Sequence, residues 1–352
     1  MYPHDQDRLR PGLPGNRGRT SAIAATGAHL VGIVESSDTP TELAILDLAT
    51  RRAQTITALN PHLATLPRGR VEPREDLRQS PDPWPAQLVK PVEYVPGKRY
   101  PAVVMHMDRI GYSDGYVLDS ADYRASYPIQ ALASRSIAVL MVWFPRSYWP
   151  ASGEDKRRRA REIADTAYDY LVDTLGLADP GAVAMTGFSH AGWVTEYGLQ
   201  HSRRPYAAAI AIDNWTASYL QYVLSNAARP FEEFYDGMTP FSAEGRKLWW
   251  DEAVGFNPQK SRVPLLKQSH GEASPVASIA AWEIYSGRRR FGMPIELIYY
   301  PDGMHILRKV PEQISSAERQ VDWLCFWLKG EEDPDPAKKG QYLRWRLMKA
   351  ER

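Results

Sequence analysis

Residues 184–192 read Ala-Met-Thr-Gly-Phe-Ser-His-Ala-Gly, which sets one serine, Ser189, between two small residues, Gly187 and Ala191. That spacing suits a sharp, strained strand-to-helix turn that lifts a hydroxyl clear of the surrounding chain. A serine hydroxyl there can attack an acyl carbon if a base takes its proton and a third group orients the base. The helix that follows would direct its first N–H groups at the developing oxyanion, and the His190 N–H is the expected donor. The plainer reading is a glycine-rich turn with a serine N-cap, which needs no partner elsewhere.

Such a turn works only if strands and helices bring partners to it. Apolar runs at 100–107 (YPAVVMHM), 137–144 (IAVLMVWF), 182–186, 206–212 (YAAAIAI), 263–268 and 295–300 have the length of buried strands. Helical spacing falls between them at 127–136, 155–175, 191–201 and 276–288, and a last helix is expected over 311–329. This alternation predicts an α/β fold, a mostly parallel sheet with helices on both faces. Ahead of it, 29–35, 42–48 and 53–57 read as a short N-terminal β segment, the last two as a hairpin. The expected organisation is a disordered start (1–20), a β-rich segment with a proline-rich linker (21–85), the α/β domain (86–330) and a C-terminal tail (331–352). Within the linker's end, 87–94 reads as an edge strand. Residues 215–260 interrupt the alternation with many aromatics, either as packing helices or as cover for a pocket.

A serine elbow inside such a sheet is the α/β-hydrolase arrangement, in which the acid and then the base follow the nucleophile in chain order. Of the eight histidines, His305 lies in the loop after the last strand (YPDGMH, 300–305), so it is the expected base. Glu272 is the carboxylate in the loop after the preceding strand and is the expected acid; Asp213, one strand earlier, is the alternative. The ordinary imidazole pKa is about 6.5, so a histidine base implies activity lost as the pH falls through that region.

At these residues the chain resembles the prolyl oligopeptidase family of α/β-hydrolase serine peptidases, over about 88–330. The resemblance rests on Lys98-Arg99-Tyr100-Pro101 before the first strand, on GFSHAG, on the HGE loop at 270–272 and on YPDGMH. Within that family it most resembles the lasso-peptide isopeptidases, through the YPIQALA helix (127–133), a glutamate acid and a tail with QYLRW (341–345). The resemblance implies cleavage of a macrolactam bond between a peptide's N-terminal amine and an Asp or Glu side chain. Two departures stand out. The family's N-terminal β-propeller is largely absent, with 29–57 resembling the remnant of a last blade, so the site is expected to be more open. The tyrosine that the family places after the first hydrolase strand is missing, so the second oxyanion donor is either His106 or Tyr112 or is absent.

Trp143, Tyr148, Trp149 and Trp215 are candidate walls of a substrate pocket, with core packing the competing reading. Lys plus Arg (43) nearly balances Asp plus Glu (42), a net charge of +1 that gives no reason to expect nucleic acid or an anionic membrane as partner. No window is apolar enough to span a bilayer, and the start of the chain lacks a signal-like apolar region, so the expectation is a cytoplasmic chain. The single cysteine, Cys325, sits in an apolar helix and reads as packing. The expected reaction takes a peptide substrate and needs no cofactor.

Overall fold

The computed structural model of the chain describes residues 19–35, 40, 42–74, 77, 84–107, 127–144, 152–225, 229–272 and 275–351. The first eighteen residues, read as disordered, lie outside them. The chain divides into two units between Pro67 and Arg68.

In the first unit, β1 (Arg19–Thr26), β2 (His29–Glu35), β3 (Glu42–Asp47) and β4 (Arg52–Thr55) form an antiparallel sheet in sequence order. β3 and β4 make the expected hairpin, and β1 is a strand that the sequence did not reveal.

The second unit is an α/β-hydrolase built on one eight-stranded sheet. Its strands are β5 (Val71–Arg74), β6 (Ala86–Val89), β7 (Tyr100–Met107), β8 (Ala138–Trp143), β9 (Ala178–Phe188), β10 (Ala208–Ile212), β11 (Leu265–His270) and β12 (Ile295–Tyr300). Their order is β12-β11-β10-β9-β7-β8-β6-β5; β7 to β12 run parallel, and β5 and β6 are antiparallel additions. The strand expected at the edge, β6, is covered by β5, which falls in the stretch read as linker. Pro73 lies in β5, and the outermost strand is where a missing N–H does least harm. From β7 the chain steps to β8 on one side and then back to β9 on the other, which opens a crevice at the carboxyl ends of β7 and β9.

Nine helices are described: α1 (Ile129–Ser134), α2 (Gly153–Asp169), α3 (His190–His201), α4 (Tyr219–Leu224), α5 (Arg229–Glu232), α6 (Ala243–Glu252), α7 (Pro275–Arg290), α8 (Val310–Lys329) and α9 (Lys339–Ala350). Every residue of β8 is buried, as are positions 102–107 of β7, so both sheet faces are covered as parallel strands require. α2 is started by Ser152, whose hydroxyl accepts the Asp155 N–H at 3.2 Å, with Glu154 and Asp155 in the positive first turn. Its small buried residues Ala160, Ala164 and Ala167 let α3 pack close against it. In the insertion, Tyr222, Phe231, Phe234, Tyr235 and Trp249 are buried, while Phe241 and Trp250 remain exposed. Residues 331–352, read as a tail, carry α9, whose Trp345 sits edge-on against Trp323 of α8 with centroids 5.0 Å apart. Lys338 and Gln341 both bond Asp322 of α8. No helix among the described residues is long and apolar enough to cross a membrane.

Candidate active site

β9 delivers Ser189 at φ 58°, ψ −127°, a conformation that costs a non-glycine residue of the order of 1–3 kcal/mol. Close packing holds it there. The Ser189 N–H donates to the Ile212 carbonyl at 2.9 Å, and the Ser189 carbonyl accepts the Gly192 N–H at 3.0 Å. A Cβ on Gly187 would meet the Ala191 carbonyl oxygen at 2.1 Å, and one on Gly192 would meet Asn214 Cβ at 2.3 Å. Small residues were expected at 187 and 191; the close approaches fall at 187, where the Ala191 carbonyl fills the space, and at 192. Gly187→Ala is expected to destabilise the protein by about 1–3 kcal/mol and to displace Ser189. Chemical denaturation together with the rate of active-serine labelling would check both effects.

A tyrosine that sequence reasoning treated only as the start of a helix closes the turn from below. Tyr127 Oη accepts the Phe188 N–H at 2.7 Å and donates to the His106 carbonyl at 3.2 Å, tying the end of β7 to the residue before Ser189. Its only sequence signal was its place at the head of the YPIQALA helix that precedes β8.

His305 sits as expected in the loop after β12, with Nε2 2.9 Å from Ser189 Oγ and its ring stacked on Phe188 at 4.6 Å. Its Nδ1 lies 2.6 Å from Asp213 Oδ2. A carboxylate can only accept, so Nδ1 carries the hydrogen and Nε2 presents its lone pair to the serine hydroxyl. The carboxylate that meets His305 is thus Asp213, the alternative, and not the expected Glu272. Glu272 is exposed, and its side chain makes no hydrogen bond among the described residues; its backbone N–H reaches the Gly303 carbonyl at 3.1 Å. The reason is depth: the Asp213 side chain is 2% exposed where β10 ends beneath His305, whose own side chain is 46% exposed.

Asp213 is held at φ 36°, another left-handed backbone position. Its N–H donates to the Gln268 carbonyl at 2.8 Å, and its Oδ1 accepts the His270 N–H at 2.8 Å. The next residue, Asn214, is locked into a buried ionic cluster. Lys267 Nζ bonds Glu196 Oε1 at 2.5 Å and Asn214 Oδ1 at 2.6 Å, and Asn214 Nδ2 returns to Glu196 Oε2 at 2.9 Å. Lys267→Met would leave the Glu196 carboxylate buried without its cation, and the expected loss is about 3–5 kcal/mol of stability, read by urea denaturation.

Among the described residues, the other expected ones do not meet the hydroxyl in the same way. His106 is fully buried in β7 against α3, with Nδ1 3.3 Å from Thr195 Oγ1, so its ring is not a donor at the rim. Burial pushes its pKa down to about 3. The unfolded chain therefore takes up a proton below about pH 6.5 that the folded protein refuses, and stability falls with the pH. At pH 5 this amounts to about 2 kcal/mol relative to pH 7. A melting series should show a shallower acid slope in His106→Gln than in wild type. Tyr112, the other candidate donor, and the pocket candidates Tyr148 and Trp149 lie outside the described residues. The His190 ring packs among Phe144, Trp193 and Phe234, leaving its backbone as the part that opens α3. Trp143 is 2% exposed at the end of β8, which makes it a packing residue. Trp215 is 44% exposed two residues beyond Asp213, with its ring 5.3 Å from Phe231.

No family model matches the chain. Over 340 residues it is 28% identical to lasso peptide isopeptidase AtxE2 of Asticcacaulis excentricus, covering 92% of this chain and 47% of that protein. The apo structure of AtxE2 isopeptidase superposes with a TM-score of 0.81 at 26% identity, over 95% of this chain and 52% of that one. A serine-to-alanine variant of AtxE2 with astexin3-dC4 bound gives the same values. The acylaminoacyl peptidase of Pyrococcus horikoshii shares the fold at 18% identity, with a TM-score of 0.69 over 92% of this chain and 52% of that one. The chain spans about half the length of the curated relative it matches. The likeness to the lasso peptide isopeptidase AtxE2 thus extends over nearly the whole chain, and that to the acylaminoacyl peptidase is one of fold.

Proposed function

We propose that the chain is a serine hydrolase that opens the isopeptide bond of a lasso-type macrolactam. One observation carries the reading: a single histidine joins a strained serine hydroxyl at 2.9 Å to a buried carboxylate at 2.6 Å. The likeness to AtxE2, a lasso peptide isopeptidase, supplies the substrate class.

Ser189 Oγ attacks the isopeptide carbonyl carbon while its proton passes to His305 Nε2. Asp213 keeps the imidazole in the required tautomer and stabilises the imidazolium. The His190 N–H, at the start of α3, stabilises the tetrahedral oxyanion; one such donor is typically worth about 2.7–4 kcal/mol in the transition state. When the C–N bond breaks, His305 returns the proton to the departing amine, leaving an ester on Ser189. Water then attacks that ester with His305 again acting as base, and the Asp or Glu side-chain acid and the free serine are released.

The test is turnover of three compounds side by side: a threaded peptide closed by an N-terminal-amine-to-Asp macrolactam, a linear peptide amide and a p-nitrophenyl ester. Opening of the macrolactam, seen as an 18 Da mass gain, is the expected result. Hydrolysis of the ester alone would make the protein a carboxylesterase on the same three side chains. Failure of a fluorophosphonate probe to label folded protein would remove the hydrolase reading altogether.

A further inference from the structure

We infer that His270 is a positioning residue that holds the backbone of the base and the carboxylate of the acid in one fixed relation. The inference rests on the reading of Ser189, His305 and Asp213 as a catalytic unit.

His270 is the last residue of β11 and is fully buried. It reaches both partners from one position. Its main-chain N–H donates to Asp213 Oδ1 at 2.8 Å, so the carboxylate oxygen not used by His305 is already occupied. Its imidazole Nδ1 lies 2.9 Å from the Met304 carbonyl oxygen and 3.1 Å from the His305 carbonyl oxygen. Both are acceptors, so Nδ1 must carry a hydrogen, shared between the two carbonyls that flank the base. The ring is set edge-on to Tyr300, with centroids 5.6 Å apart at 80°. Two backbone bonds join the same pair of loops lower down, Gly271 N–H to the Tyr300 carbonyl at 2.8 Å and Glu272 N–H to the Gly303 carbonyl at 3.1 Å. Neither reaches residue 304 or 305.

The geometry explains why a second histidine stands there. His305 is half-exposed on a loop, and ring-nitrogen contacts alone leave its backbone free to shift. A displacement near 1 Å can cost a reaction about 100-fold. The His270 Nδ1–H removes that freedom without placing another charge beside Asp213. Its Nε2 has no hydrogen-bond partner among the described residues, so a second N–H there would be buried unpaired. Burial lowers the His270 pKa despite the opposing pull of Asp213, in keeping with a neutral ring that donates from Nδ1.

The test compares His270→Asn with His270→Phe. The asparagine amide can occupy the Nδ1 position and still donate; phenylalanine fills the space without a donor. Two readouts separate positioning from general stability: inactivation by a fluorophosphonate, resolved into kinact and KI, and the downfield proton resonance of the His305 Nδ1–H on Asp213. For His270→Phe the expected result is kinact lower by about 10–100-fold with KI within about two-fold, and a shifted or lost resonance. For His270→Asn both should stay near wild type. If the phenylalanine variant does not fold, His270→Gln, whose amide sits at the Nε2 position, removes the same donor. Wild-type kinact and resonance in the donorless variant, or equal damage in His270→Asn, would overturn the inference. The resonance needs no turnover, so it decides the role of His270 even if wild type is not labelled and the hydrolase reading falls.

Discussion

Asp213→Asn is expected to lower kcat by about 10⁴-fold, while Glu272→Gln stays within about three-fold of wild type. The size follows from the tautomer: an asparagine can donate toward Nδ1, which favours the form with hydrogen on Nε2, and that form cannot take the proton of a serine hydroxyl. Folding should change little, because the asparagine oxygen can still accept the His270 N–H that Asp213 Oδ1 accepts at 2.8 Å. Glu272 bonds the structure through its backbone, which the substitution to glutamine preserves. Steady-state turnover of the macrolactam by the two variants checks this directly. The opposite outcome, with Glu272→Gln inactive and Asp213→Asn active, would return the acid to the loop after β11.

Ser189→Ala is expected to abolish fluorophosphonate labelling and to cost about 10⁶-fold in kcat, leaving only the roughly 10³–10⁴-fold that binding and oxyanion donors supply without a nucleophile. Ser189→Gly should be equally inactive but more stable than Ser189→Ala by about 1–3 kcal/mol, because glycine adopts φ 58° without strain. Equal melting temperatures for the two variants would mean that the elbow stores no strain. Residual labelling of either would place the nucleophile elsewhere.

Much of this was legible in the chain itself, for identifiable reasons. YPAVVMHM and IAVLMVWF are continuous apolar runs because β7 and β8 are covered on both faces, and runs of that length have few other uses. Ser189 and His305 each follow a segment readable as a strand, which placed them at one end of the sheet. The acid was harder. Asp213 and Glu272 both follow parallel strands, and what separates them is depth and the left-handed turn at Asp213, neither of which has a local signature. β5 escaped notice because Val-Glu-Pro-Arg carries two charges and a proline and qualifies as a strand only through its neighbour β6. The clamp from His270 was out of reach for the same reason: a hydrogen bond to carbonyls 34 and 35 residues away leaves no pattern along the chain.

The seam between α8 and α9 has a consequence for biosynthesis. Ser189 leaves the ribosome well before His305, and the Trp345 that completes the packing around Trp323 comes later still. At about 5–20 residues per second, the interval from Ser189 to Ala350 is roughly 8–30 s. The nascent chain carries its alcohol without the imidazole until His305 is made 116 residues later, and without the closing indole for nearly the whole interval. Latency during translation is thus built into the order of the parts, and a ribosome-stalled chain ending before residue 340 should remain inert toward active-serine probes.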